Sequence, residues 1–174
     1  MSDIQQKETN VDTEELDRLN RSVLAAIQKG ATMKDLHGVT DAAMEGVYAY
    51  AYRFYQQGKL KEAESFFRFL FMYDFRCAEY PMGLAAVYQL RGEYQKAIEY
   101  YAIAISLTKD DLRPVFHSAQ CHLCLGNRSV ARQSFEVVLE RADIPVLRDA
   151  AKACLDVMDK GLQHAATASS EQEN

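Results

Sequence analysis

The chain has no tryptophan, three prolines and eight widely scattered glycines in 174 residues, so neither a collagen-like nor a low-complexity loop-rich polymer is in question. No stretch approaches the 18 or more consecutive apolar residues of a membrane span. The opening MSDIQQKE carries neither the basic nor the apolar segment of a secretory leader, so a cytosolic protein is expected. Excess positive charge is missing as well. Twenty Lys and Arg face 25 Asp and Glu for a net charge of −5, and −4 of it falls in the first 20 residues. Residues 21–160 hold 18 bases against 17 acids, and a nearly neutral body excludes the broad basic face that nucleic acid would need. Neither nucleic acid nor a membrane is an expected partner.

Signatures of catalysis are also missing. The chain holds no G-x-x-x-x-G-K-[ST], G-x-S-x-G, H-E-x-x-H or G-x-G-x-x-G, and His37, His117, His122 and His164 stand beside no repeated carboxylate or nucleophile. The one close cysteine pair is Cys121 and Cys124 in CHLC. A structural zinc needs four ligands, usually from a second such pair, and Cys77 and Cys154 lie 44 residues before and 30 after. Small buried thiols are expected, with no cofactor and no metal; a metal enzyme using CHLC with His117 or His122 is the competing reading.

With 48% hydrophobic residues the chain can bury a core, and the order in those residues is a repeat. Gly58, Gly92 and Gly126 are 34 apart, as are Ala51, Ala85 and Ala119, then Ala63, Ala97 and Ala131, and the aromatic set Phe67, Tyr101 and Phe135. Four columns in phase at this interval follow tetratricopeptide logic: small residues where two antiparallel helices meet, Gly at the turn, and an aromatic in the wedge. The expected fold is all-α. Three tandem repeats (44–77, 78–111, 112–145) form a short right-handed superhelix, with unit positions counted from Met44, Ala78 and Leu112. The third unit matches least well, since Arg128 stands where Leu60 and Tyr94 stand in the others.

Flanking segments complete the expected division. Residues 1–11 read as disordered, and 12–40 as an N-terminal helical region. There Asp12 and Glu15 resemble a capping box, Leu16, Leu19, Val23 and Ile27 form an apolar stripe, and Thr32 with Asp35 caps a short turn closed by Gly38. Residues 146–160 read as a capping helix, and 161–174, poor in large apolar residues, as a disordered tail.

A helical wheel at about 100° per residue places unit positions 4, 7, 8 and 11 on the packing side and positions 2, 5, 9 and 12 toward a concave groove. The groove residues read in this way are Tyr48, Tyr52 and Tyr55, then Met82, Ala86 and Gln89, then Phe116, Gln120 and Leu123. Glu45, Glu79 and Arg113 stand at position 2 and His117 borders the face, as a rim. Sixteen of the 18 Phe and Tyr lie between 48 and 101; Phe66, Phe67, Phe69 and Phe71 suit the core, whereas the three tyrosines share a face that is not the packing face.

The stretches GATMKDLHGVT, AYAYRFYQQGKLKEAESFFRFLFMYDF, YPMGLAAVYQLRGEYQKAIEYYAIAISLTKDD and RPVFHSAQCHLCL resemble the class II translocator chaperones of bacterial type III secretion. The likeness is nearest to the IpgC and SicA type, with the LcrH or SycD group more distant, and covers about residues 20–158. The resemblance implies a cytosolic chaperone that binds two hydrophobic translocators separately, each through an extended P-x-L-x-x-P segment in the concave groove. The family's groove tyrosines match Tyr48, Tyr52 and Tyr55. It further implies a homodimer through the N-terminal helical region and, in some invasion-type members, co-activation of an AraC-type transcription regulator. A general tetratricopeptide adaptor is the alternative that the repeats alone leave open.

Overall fold

The computed structural model describes residues 13–171, with side chains at 18, 19 and 21–161. The expected disordered segment 1–11 lies outside the described residues. Nine α-helices are seen among them: α1 (Thr13–Gln28), α2 (Met33–His37), α3 (Asp41–Gln56), α4 (Leu60–Tyr73), α5 (Glu79–Leu90), α6 (Tyr94–Leu107), α7 (Arg113–Cys124), α8 (Arg128–Arg141) and α9 (Pro145–Glu171). Consecutive helices from α3 onward pack against one another, so α3–α4, α5–α6 and α7–α8 are hairpins stacked in chain order.

The three hairpin turns share one backbone solution. Gly58, Gly92 and Gly126 adopt φ of 70°, 74° and 80°, a left-handed conformation that a side chain resists. The following N–H then reaches back to the helix, Lys59 to Phe54, Glu93 to Tyr88 and Asn127 to His122, at 2.9 Å in every case. Between the helices, Ala51, Ala63, Ala85, Ala97, Ala119 and Ala131 are completely buried, which lets the backbones approach. Phe67, Tyr101 and Phe135 fill the wedges beside them, no more than 2% exposed. Each buried aromatic of this kind contributes on the order of 2–3 kcal/mol. Two core clusters result, one around units one and two and one joining unit three to α9.

Short-range capping fixes the approach to the first unit. The Thr32 side chain accepts from the Asp35 N–H while the Asp35 carboxylate accepts from the Thr32 N–H at 2.8 Å, and Gly38 ends the turn at φ 65°. Lys34 bridges Asp41 and Asp74, and Arg76 reaches Asp35 at 2.9 Å, so α2 is fastened to the first hairpin by charge. Helix α1 is different. Leu19, Leu24 and Ile27 are 58%, 58% and 51% exposed and Val23 is half-buried, so the stripe is left without cover in the single chain. The Leu16 side chain lies outside the described ones.

At the other end the expected tail is corrected. Helix α9 does not stop near Lys160 but continues to Glu171. The lack of large apolar residues argues against packing and not against helix, and Ala165, Ala166 and Ala168 carry high helix propensity with no proline to interrupt them. Among the described residues, no helix is long and apolar enough to cross a membrane.

Candidate functional site

A cavity of about 390 Å³ opens on the concave side, walled by α3, α5 and α7. Helix α3 carries Tyr48, Tyr52 and Tyr55 along one face because positions three and four apart share a side. Their rings stack in series, Tyr48 on Tyr52 at 6.4 Å and Tyr52 on Tyr55 at 6.2 Å between centroids. Tyr48 also meets Phe67 edge-on at 5.9 Å, which ties this wall to the core. Opposite stands α7 with Arg113, His117 and Gln120, and the floor between is α5, with Met82, Gly83, Ala86 and Gln89. Depth comes from small residues. A Cβ on Gly83 would fall 2.4 Å from the Phe67 ring, so glycine is what allows α5 to lie against that aromatic.

One end of the groove is charged. The Arg113 guanidinium donates to Asp111 at 2.7 Å and to Glu79 at 2.6 Å. Those hydrogen bonds, Asp111 first, raise the Arg113 pKa against the opposing effect of its burial. Burial alone would raise the Asp111 carboxyl, but the hydrogen bonds and charge of Arg113 hold it below the usual carboxylate range. On the aromatic wall, burial and then the Glu79 charge push the Tyr48 phenol upward, and burial followed by Tyr52 does the same for Tyr55. Both remain neutral phenols at physiological pH. Among the described residues, the hydroxyls of the three wall tyrosines make no hydrogen bond within the chain, so they are available to a ligand.

The predicted residues are distributed as follows. Tyr48, Tyr52, Tyr55, Met82, Ala86, Gln89 and Gln120 line one cavity, together with Glu79, Arg113 and His117. Phe116 and Leu123 do not. Phe116 is 7% exposed and packs edge-on against Phe135 at 5.6 Å, and Leu123 packs against the same second cluster. The groove face drifts by one position along the superhelix, so His117 stands where Phe116 was expected. Glu45 is exposed outside the cavity lining. Sequence reasoning passed over Gly83, Leu90, Phe67 and Tyr101, which also line it. The last two sat in the packing column, and both also reach the cavity, whereas Phe135 does not.

The CHLC pair lies on α7, with Cys121 buried and Cys124 exposed. Burial, then the neighbouring Cys124, pushes the Cys121 thiol up to about 11, which makes it a weak nucleophile at neutral pH. Among the described residues, no group of three or more His, Cys, Asp and Glu is close enough to hold a metal ion.

Helical hairpins with these columns, stacked around an aromatic concave groove, define a protein-interaction solenoid of the tetratricopeptide class. The family model for the tetratricopeptide repeat matches residues 44–76 and 78–111. Chaperone protein SicA of Salmonella typhimurium is 48% identical over 142 residues, covering 82% of this chain and 86% of SicA. Among solved structures, PcrH in complex with the chaperone-binding region of PopD superposes at TM-score 0.67 with 31% identity, covering 71% of this chain and 96% of PcrH; PcrH is from Pseudomonas aeruginosa. The Yersinia enterocolitica type III secretion chaperone SycD, in complex with a peptide of the translocator YopD, gives 0.59 with 26% identity, covering 66% and 96%. The chain belongs to the class II translocator chaperones of type III secretion systems.

Proposed function

We propose that this chain is a cytosolic chaperone that holds hydrophobic translocator proteins, one at a time, by an extended segment laid in the concave groove, and so keeps them from premature association and degradation before secretion. The observation that carries this reading is the groove itself: an open aromatic wall with unused hydroxyls, a floor cut down to Gly83 and Ala86, and a polar far side. A preformed cleft of this kind captures an extended peptide at low ordering cost, and holding needs no nucleotide. The complexes of PcrH with PopD and of SycD with a YopD peptide support carrying the client class over to this chain. The exposed stripe of Leu19, Val23 and Ile27 on α1 supports homodimerisation through the N-terminal region. An AraC-type transcription regulator is a further proposed partner and rests on the resemblance. A reporter for such a regulator that is indifferent to loss of the chaperone would remove it.

Co-expression tests the main reading. A hydrophobic secreted protein encoded beside this gene should gain solubility and co-purify when expressed with the chain. If its level and solubility do not change, the chain is a tetratricopeptide adaptor for some other assembly.

A further inference from the structure

The aromatic column of the core reads Phe67, Tyr101, Phe135, and only its middle member has a hydroxyl. Packing does not call for it, because phenylalanine fills the same wedge in the units on either side. The hydroxyl is spent on the groove. Tyr101 is 1% exposed and donates to Gln89 Oε1 at 2.7 Å. Turning the Gln89 amide over would set its NH2 against the hydroxyl and leave the buried proton without an acceptor, a loss that fixes the amide as found.

Everything downstream inherits that orientation. With its oxygen held by Tyr101, Gln89 donates through Nε2 to Gln120 Oε1 at 3.3 Å. His117 Nδ1 lies 3.0 Å from the same oxygen and its ring stacks on Tyr101 at 5.8 Å. An amide oxygen can only accept, so Nδ1 carries the proton there. Both lone pairs of Gln120 Oε1 are then used. Among the described residues, one N–H of Gln89 and both of Gln120 are left over, and both side chains line the cavity.

Resting on the groove reading above, we propose that the groove reads its client through main-chain carbonyl oxygens, with the Gln89 and Gln120 amides as the donors and Tyr101 as the positioning residue that aims them. An apolar segment that sinks its side chains into the pockets brings its carbonyls with it, and a buried carbonyl without a donor is costly. A client carboxylate is the other acceptor that such donors could take. Glu79 and Asp111 at the end of the same groove disfavour it, because Arg113, the cation that pairs with them, is already bound to both. Every peptide has main-chain carbonyls, so these donors are open to any client whose side chains suit the pockets, and one groove can serve two different translocators.

The test uses the full-length chain and, as probe, a fluorescent synthetic peptide of the PopD chaperone-binding region, followed by anisotropy. Tyr101→Phe should keep its melting profile, since phenylalanine occupies the equivalent position twice, and lose about tenfold in affinity. Gln120→Glu exchanges donors for an acceptor at equal size and should lose about a hundredfold. Probes with single backbone esters, whose carbonyls accept weakly, should bind the wild type less well at one or two positions and bind Tyr101→Phe no worse than the amide probe does. That non-additivity would not arise if Tyr101 were merely structural, and should Tyr101→Phe fail to fold, Gln120→Glu and the ester scan on the wild type decide. A wild type that does not bind the probe overturns the groove reading and this inference with it. Wild-type binding with unaltered Gln120→Glu affinity and no ester effect overturns the inference alone, as does binding that depends on an acidic side chain of the probe.

Discussion

Replacing Tyr52 by Ala separates binding from folding more cleanly than any other change in the groove. Its side chain stands in the middle of the stacked wall and is 47% exposed in the free chain. A tyrosine side chain has on the order of 200 Å² of surface, so about 90 Å² is open to a ligand; covering it at roughly 25 cal/mol per Å² is worth about 2 kcal/mol. That is about thirtyfold in Kd. The fold loses less, because what disappears is partial contact with Tyr48 and Tyr55 and no buried cavity is made. A cost of about 1 kcal/mol would lower the melting temperature by about 2–4 °C for a chain of this length. Calorimetric titration with a translocator peptide, beside a thermal melt, measures both quantities. Unchanged affinity would refute the assignment of Tyr52 to a binding wall, and so would weakened binding that appears only when the helices melt.

Four further outcomes are expected. Ala86→Glu should abolish peptide binding while leaving the helical content intact, because the floor side chain fills the cleft and would bury an unpaired charge under the ligand; peptide titration and circular dichroism check it. Gly83→Ala should destabilise by about 1–3 kcal/mol in urea unfolding, since its Cβ has no room against Phe67. Glutamate at Leu19 and Ile27 together should shift sedimentation from dimer to monomer without changing the melting of the repeats, whereas an unchanged oligomer would place the interface elsewhere. Acid should weaken the fold: burial raises the Glu64 pKa, but hydrogen bonds from Tyr88 and Arg91 and the nearby arginines hold it below the ordinary carboxylate value. Its contribution is therefore complete above the unfolded value of about 4.3 and is lost as pH falls through the folded one, so Glu64→Gln should flatten the acid limb of a melting-temperature profile.

The repeat was legible because packing is periodic. Two helices that must approach closely need alanine at the same two places in every hairpin, and a left-handed turn needs glycine, so the columns survive without any tertiary information. Positions 5, 9 and 12 on the wheel located the tyrosine wall, Met82, Ala86, Gln89 and Gln120 for the same reason. What failed was the assumption that every unit shows the same face. Superhelical twist turns α7 so that Phe116 closes on Phe135 while His117 meets the cavity, and a wheel drawn for one straight helix has no term for rotation between units. Helix α9 ran past its predicted end because hydrophobic pattern reports packing, while the alanines after Gly161 need only intrinsic propensity to stay helical.

Gly83, Phe67 and Tyr101 escaped notice for a different reason, and that reason bears on how the groove works. Residue type separated core from surface, and these three belong to both. At position 9 the units carry Tyr52, Ala86 and Gln120, and at position 6 Ala49, Gly83 and His117, so the middle unit is small at both positions, where the first unit is large at position 9 and the third at both. The cleft is deep because core aromatics form its bottom: Phe67 comes through beneath Gly83, and Tyr101 sends its hydroxyl through to Gln89. Client side chains would then rest on the same rings that hold the first two units together. Occupying the groove should therefore stabilise those units most, and amide hydrogen exchange in α4–α6 should slow more on peptide binding than exchange in α8 and α9. Equal protection along the whole chain would mean that the floor and the core are not mechanically one.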